Sequence, residues 1–335
     1  PIRFIGKCSP ARIHKFFITL RREGTEGVSR RLDDCLIGNN IQTTQLVLNE
    51  VNLAAQKTAA DYEVLYVPAQ DKPVISIVIP VYNQFEYTYL CIKSILENSG
   101  DVAYEIIIAD DGSDERTTKL IHEFTQNASF PIFHEWHEDR GFRKTIVLNK
   151  AISKASSSYI IQIDGDIIAS PNFIEDHVYM AEEGCFIRGT RANLNVRATT
   201  SLLDKGKLSI INKLQLIMKQ PTNALRLYPM IAKFVTRKEL SGKRVKGCNM
   251  SFWKKDLIGI NGYDNNLQGW GHEDEELSWR LVNSGIEKKI IKFSAIAYHL
   301  YHKQLSRKEE PHHREFMKTI KEQKITRTNN GIEEI

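Results

Sequence analysis

The stretch Tyr159-Ile160-Ile161-Gln162-Ile163-Asp164-Gly165-Asp166-Ile167-Ile168 decides how the chain is read. Its short, apolar, β-branched run is entered from the loop Ser156-Ser157-Ser158, so it reads as one buried strand. Such a strand delivers Asp164 and Asp166 to its carboxyl end, where open α/β sheets bind their ligands. Two carboxylates separated by one glycine suit a site in which an oxygen meets a hard divalent cation, the cation meets a phosphate, and backbone comes close to both. Asp-x-Asp also arises by chance about once in a chain of this size, and a solvated turn would explain it in isolation. The neighbouring units decide between the two.

Upstream, Val74 to Val81 is a near-continuous apolar run of the kind found in parallel strands covered on both faces. Tyr82-Asn83-Gln84 ends it, and residues 85–98 show helical spacing through Tyr89, Ile92, Ile95 and Leu96, with Gly100 as a stop. Tyr104 to Ala109 reads as a second strand, followed by Asp110-Asp111-Gly112-Ser113-Asp114 and a helix over 115–124. A third unit runs through a strand over 130–136, a loop containing Gly141 and a helix over 142–153. This alternation predicts an α/β fold: a doubly wound, mostly parallel sheet with flanking helices. With no Gly-x-Gly-x-x-Gly and no Gly-Lys-Ser/Thr after the first strand, dinucleotide and P-loop readings lose their main support. Anions would instead be held by a cation on Asp166 together with Arg140 and Arg143.

Composition agrees with a globular protein: 41% of the 335 residues are hydrophobic and 9% aromatic, enough for one large core or two smaller ones. The five cysteines (Cys8, Cys35, Cys91, Cys185, Cys248) are odd in number, far apart and without Cys-x-x-Cys, which favours a reducing compartment over a disulfide framework or a zinc site. Of the net charge of +5, the segment from Pro1 to Arg31 carries the excess, with eight Lys or Arg against two Glu. A local basic segment is not a nucleic-acid stripe. Beginning at Pro1 without a methionine, the chain is expected to be a piece of a longer one. Ile13, Phe16, Phe17 and Leu20 have helical spacing among basic residues, which fits either a helix on an acidic membrane surface or one packed on its own domain. Residues 44–60 read as a further helix.

The runs Ile79-Pro80-Val81-Tyr82-Asn83, Asp110-Asp111-Gly112-Ser113 and Asp164-Gly165-Asp166, in this order and spacing, resemble the nucleotide-sugar half of glycosyltransferase family 2, which has the GT-A fold. The resemblance implies a uridine diphosphate sugar donor, with base and ribose near Pro80, Tyr82, Asn83, Asp110 and Asp111. It places Asp164 near the ribose and sugar, with Gly165 and Arg143 beside the donor, and Asp166 on a metal, Mn²⁺ or Mg²⁺. Asp and Ser between 110 and 114 are also favoured on local grounds, as a turn with a helix cap.

The second half adds Lys246-Gly247-Cys248-Asn249-Met250, Asn261-Gly262-Tyr263-Asp264 and Gly269-Trp270-Gly271-His272-Glu273-Asp274-Glu275-Glu276. This resembles the Gly-Trp-Gly-x-Glu-Asp segment of the β-1,4-galactosyltransferase and chondroitin-polymerase type, with His272 and Glu275 as departures. The resemblance makes Asp274 the general base and Glu273 an acceptor ligand, with Trp270, Gly271 and Asn249 also at the acceptor. The chemistry has its own logic: a sugar hydroxyl is a weak nucleophile that a nearby carboxylate can deprotonate, and the glycines let the loop approach while the indole covers the sugar's apolar face. Acids in a first helical turn are also favoured by the macrodipole, by about 0.3–1 kcal/mol each.

A last strand over 293–298 ends in His299-Leu300-Tyr301-His302, and related enzymes carry a second metal ligand here: His299, at the strand end, or His302 as the alternative. Mn²⁺ accepts an imidazole beside oxygens more readily than Mg²⁺ does. Residues 195–243 read as a helical insertion, lying on a membrane, shaping the acceptor groove, or simply packed over the sheet edge.

The expected organisation is a helical extension or linker over 1–71, a GT-A domain over 72–302 with nucleotide-sugar (72–168) and acceptor (169–302) halves, and a charged tail over 303–335 in which His312 and His313 are exposed. The expected activity is inverting, metal-dependent transfer from a UDP-sugar to a glycan or lipid-linked glycan. The setting implied by resemblance is bacterial surface-polysaccharide or lipopolysaccharide synthesis, cytoplasmic or peripheral at the inner membrane, with no nucleic acid involved. Three rivals share parts of the pattern. A retaining transferase of the polypeptide N-acetylgalactosaminyl type has the fold and the late histidine. A sugar nucleotidyltransferase would need a Gly-rich loop absent here. A non-catalytic sugar-nucleotide or glycan-binding module has no use for Glu273 and Asp274 beside a metal pair.

Overall fold

The computed structural model describes residues 75–97, 102–128, 131–302 and 310–335. The helical readings of the first 71 residues lie outside them. The chain runs β1 (Ile75–Val81), α1 (Phe85–Leu96), β2 (Tyr104–Asp110), α2 (Glu115–Asn127), β3 (Ile132–Trp136), α3 (Lys144–Lys154) and β4 (Tyr159–Gln162). Then come β5 (Ile167–Ala169), α4 (Phe173–Met180), β6 (Cys185–Arg188) and β7 (Thr190–Asn193). Four helices follow, α5 (Val196–Lys205), α6 (Ile210–Lys219), α7 (Pro221–Ala224) and α8 (Pro229–Val235). The last part holds β8 (Arg237–Glu239), β9 (Met250–Trp253), α9 (Lys254–Gly259), α10 (Glu273–Asn283), β10 (Glu287–Ile290), β11 (Ile296–His299) and α11 (Glu310–Glu322).

The large sheet has the order β3-β2-β1-β4-β9-β6-β10-β8, with its first four strands parallel. Every residue of β1 and β2 is buried, as their unbroken apolar runs require of strands covered on both faces. Along β1, Ile77 and Ile79 face one core with Ile92 and Ile95 of α1, whereas Val78 faces the other with Val147 and Leu148 of α3. β9 lies antiparallel between β4 and β6 and joins the two halves of the chain in one sheet. Of these described residues, no helix is long and apolar enough to cross a membrane.

The stretch from Tyr159 to Ile168 is not one strand, as its apolar texture suggested. β4 stops at Gln162, but the ladder to β1 continues through Ile163 N to Val78 O (3.2 Å) and Gly165 N to Pro80 O (3.2 Å). The chain then turns at 164–166 and enters a second sheet of order β5-β11-β7. Gly165 allows this approach, since a Cβ there would lie 3.2 Å from Pro80 O and 3.1 Å from Val81 Cγ1. The two aspartates sit at the seam between sheets.

The expected exposed tail is also corrected. α11 packs on α10 and buries Met317 and Ile320, and Asn283 Nδ2 donates to Ile320 O (3.1 Å) and Ile325 O (2.8 Å). Ile332 N donates to Asn261 O (3.1 Å), so the chain end is folded against the 261–265 turn. His313 is buried: its ring nitrogens lie 2.5 Å from Gly271 O and 3.1 Å from Gln268 O. The segment reads as a charged, exposed tail because its partner, the far side of α10, is not visible in sequence.

α10 is anchored by a buried ion pair, Arg280 with Glu276, at 2.5 and 2.7 Å, and Arg280 Nη1 also donates to Ile260 O (2.8 Å). Both side chains are fully buried. Removing one partner strands the other charge, so Arg280→Met is expected to lower stability by about 3–5 kcal/mol in urea unfolding, and Glu276→Leu/Arg280→Met by clearly less. Equal losses in the single and double variants would contradict this account.

Candidate active site

β1, β2 and β4 end side by side, and their loops build the first wall of the cleft. Asp110 is buried, accepting from Ser113 N (2.7 Å) and bonded to His134 Nε2 (2.8 Å). Asp111 is bonded to His137 Nε2 (2.6 Å) and accepts from Arg143 N (2.9 Å). Burial pushes the Asp111 carboxyl up, opposed by these two contacts. Asn83, in a left-handed conformation, receives Asp114 N on Oδ1 (2.8 Å) and donates its own N–H to Ser113 Oγ (2.8 Å). Pro80 is buried, whereas the Tyr82 ring is 48% exposed at the mouth with its hydroxyl donating to Asp139 Oδ2 (3.0 Å). The structure thus gathers Pro80, Tyr82, Asn83, Asp110 and Asp111 in one place. The guanidinium of Arg143 donates to Glu138 O and that of Arg140 pairs with Glu138 (2.7 Å), so the expected arginine cradle for an anion is not formed here.

At the seam, Asp166 Oδ2 lies 3.4 Å from His299 Nε2 and 3.0 Å from His302 Nε2. β11 pairs His299 with Ile167, and Leu300 N donates to Asp166 O (3.0 Å), which fixes this proximity. The choice between His299 and His302 dissolves, because both reach the carboxylate and all three ligand atoms lie within 4.8 Å of one another. Asp166 Oδ1 is buried with no hydrogen-bond partner among the described residues. Burial alone would raise the Asp166 carboxyl, but the two imidazoles hold it below its ordinary value. Burial lowers His299, favouring the neutral imidazole that ligates metals. One carboxylate, two imidazoles and an orphaned buried oxygen fit a divalent transition metal with positions left for other oxygens.

The second wall comes from α10. The 269–272 loop leads in with Gly269, Gly271 and His272 at positive φ, and Gly271 N donates to Glu273 Oε2 (3.1 Å). Trp270 is partly exposed on this loop, and His313 holds its neighbour Gly271 from behind. Asp274 accepts from Gly247 N on Oδ2 (2.6 Å), and its Oδ1 lies 3.4 Å from the Tyr263 hydroxyl, which donates to Gln162 Oε1 (2.9 Å). Gly247 is required there, since a Cβ would fall 2.4 Å from Asp274 Oδ1. Burial, then the charge of Glu273, pushes the Asp274 carboxyl up to about 7, against the opposing pull of Lys144. An acid with that value is a base matched to neutral pH.

Lys144, at the start of α3, joins the walls. Its ammonium lies 2.9 Å from Asp164 Oδ1 and 3.8 Å from Glu273 Oε1. Burial would lower its pKa, yet Asp164, Asp274 and Glu273 together raise it well above the ordinary lysine value. Sequence reasoning missed Lys144, because a lone lysine at a helix start reads as a solvated cation. It also missed His134 and His137, whose partners lie far away in the chain, and gave Tyr263 no role of its own. Asn249, expected at the acceptor, has its amide engaged within the protein. It is buried, with Nδ2 donating to Thr190 O (2.8 Å) and Ala295 O (2.9 Å) and Oδ1 bonded to His177 Nε2 (2.9 Å), so it braces the floor of the cleft.

Two sequence profiles match the chain: "Glycosyl transferase family 2" over residues 76–228 and "N-terminal domain of galactosyltransferase" over 230–303. A chondroitin synthase of Escherichia coli is 24% identical over 248 residues, covering 67% of this chain and 34% of that one. A poly-beta-1,6-N-acetyl-D-glucosamine synthase of Staphylococcus aureus (strain COL) is 27% identical over 222 residues, covering 64% and 47%. The chain thus spans about a third of the first relative and half of the second. The crystal structure of S. aureus TarS 1–349 superposes with a TM-score of 0.51 at 12% identity, over 77% of this chain and 67% of that one, a likeness of fold. The expected GT-A architecture is borne out.

Because the base form of Asp274 is the ionised one, any step that uses it rises with pH by about tenfold per unit below pH 7 and levels above it. Removing the neighbouring negative charge in Glu273→Gln shifts that limb to lower pH, and removing the positive charge in Lys144→Met shifts it to higher pH. Initial rates from pH 5 to 9 check both directions, and shifts of the opposite sign would rule out this electrostatic assignment.

Proposed function

We propose, from the premise that the chain belongs to glycosyltransferase family 2 over residues 76–228, that it moves a sugar from a UDP-sugar to a glycan hydroxyl with inversion at the anomeric carbon. The observation that carries this is the pairing of a base with a pKa of about 7 on one wall with a carboxylate–imidazole cluster on the other, bridged by Lys144. The exposed Tyr82 ring and the Asp111 carboxylate offer the uracil base a stacking face and a hydrogen-bond acceptor. Asp164 meets the ribose and the donor sugar, and Lys144 holds it in place.

On the acceptor side, Trp270 covers a sugar face and Glu273 accepts from a hydroxyl. Asp274 takes the proton of the attacking hydroxyl as its oxygen bonds to the anomeric carbon and the bond to the diphosphate oxygen breaks. The Gly247 N–H keeps the Asp274 carboxylate aimed through this step. Asp166, His299 and His302 would hold Mn²⁺, which when bound supplies positive charge to the departing diphosphate. Single displacement turns an α-linked donor into a β-linked product. The relatives' names point to polymer synthesis, so a growing bacterial polysaccharide is the acceptor class we favour.

Nucleotide release from UDP-, GDP- and dTDP-sugars, with Mn²⁺ or with chelator, tests this reading. Release is expected from a UDP-sugar only, to need the metal, and to rise with glycan acceptors. Asp274→Asn is expected to lower transfer by about 10²–10⁴-fold with UDP affinity unchanged. Loss of UDP binding in that variant, or transfer at the wild-type rate, would count against Asp274 as the base.

A further inference from the structure

A cavity of about 210 Å³ opens between the end of β7 and helices α5 and α6. Its walls are rich in carboxamides. Gln220 braces one side, accepting Asn193 N on Oε1 (3.1 Å) and donating Nε2 to Asn193 O (3.0 Å), and Asn195 Oδ1 caps α5 by accepting Ala198 N (2.8 Å). The side-chain amides of Asn193, Asn212 and Gln215 also line the cavity and make no hydrogen bond among the described residues. Leu194, Ala198 and Leu216 provide an apolar surface, Lys219 stands at the rim, and no carboxylate contributes.

This is the chemistry of a sugar site. Each free amide offers donors and an acceptor together, which matches neighbouring hydroxyls or an acetamido group, while the apolar surface suits the C–H face of a pyranose. The volume lies below the roughly 300–1,000 Å³ of pockets for larger ligands, so a single ring is a better fit than a nucleotide. Position supports the same reading. Asn193 is the register partner of His299 in the parallel β7–β11 pair, so both side chains leave that sheet on one face. Leu194 N donates to His299 O (2.9 Å) and Tyr301 N to Thr199 Oγ1 (2.9 Å), which ties the cavity walls to the metal-ligand strand. The cavity therefore adjoins the His299 end of the cleft, whereas Asp274 and Glu273 come from α10.

We infer that this cavity is a subsite for a sugar unit of the glycan, away from the hydroxyl that reacts. The inference rests on the glycosyltransferase reading and adds a length preference to it: a monosaccharide acceptor touches only the Trp270 loop and the α10 acids, whereas a longer chain also fills the amide-lined cavity. Lys219 makes an acidic sugar unit the favoured occupant.

The test is calorimetric titration of wild type and of Asn212→Ala/Gln215→Ala with UDP in Mn²⁺, then with chitotetraose and with chondroitin tetrasaccharide. Wild type is expected to bind at least one tetrasaccharide, and the double variant to bind it at least tenfold more weakly with UDP affinity unchanged. Lys219→Ala should weaken only the acidic probe. Equal tetrasaccharide affinity in the double variant would overturn the subsite, as would a wild type that binds UDP and neither tetrasaccharide. A wild type that binds neither UDP nor a tetrasaccharide would overturn both the subsite and the transferase reading.

Discussion

Three carboxylates, Asp164, Glu273 and Asp274, converge where one buried ammonium, that of Lys144, faces them. Burying a charge costs several kcal/mol unless it is paired, and acids crowded together repel one another. Lys144 offsets both costs at once, and it comes from α3, between the strand loops on one wall and α10 on the other. Its charge does not balance all three acids. Burial first, and this remainder second, raise the pKa of Asp274 to about 7, a value suited to taking a proton near neutral pH. That readiness costs stability: an acid whose pKa rises on folding opposes the folded state above its unfolded value, near 3.8, increasingly up to about pH 7.

The fold serves this charge arrangement by changing sheets where the acids sit. A strand that continued past Gln162 would leave Asp164 and Asp166 side by side on the same face of one sheet. The turn at 164–166 instead leaves Asp164 beside Lys144 and sends Asp166 toward β11, where His299 and His302 wait. The strand-loop wall and the carboxylate–imidazole cluster are thus separate units meeting at one glycine. On the α10 wall the same economy holds, with Gly247 approaching Asp274 so closely that no side chain fits between them.

Much of this was legible in the chain. Buried runs such as Val74 to Val81 and the alternation of strands with helices announce a parallel α/β sheet, and short acidic motifs mark the loop ends where ligands bind. Asp164, Asp166, Glu273 and Asp274 stand in such motifs, and the structure brings them, with both late histidines, to one cleft. The rest depended on contacts between distant residues, which local pattern does not encode. Lys144 looks like any surface lysine until Asp164 and Glu273 are placed around it. Asn249 looks like an acceptor ligand until Thr190, Ala295 and His177 are found on its amide. His313 looks solvated until α11 folds back onto the Trp270 loop. The break in the strand at Gln162 was hidden because Ile163, Ile167 and Ile168 suit either sheet.

The central claim is that one carboxylate base works against a donor held on the opposite wall, which permits a single displacement and nothing in between. The anomeric configuration of the product measures this most directly. With the first α-linked UDP-sugar that supports transfer, the ¹H NMR spectrum of the initial product should show the large anomeric coupling of a β-gluco- or β-galacto-type linkage. An α-linked initial product would mean retention, and with it a mechanism in which Asp274 is not the base of a single displacement.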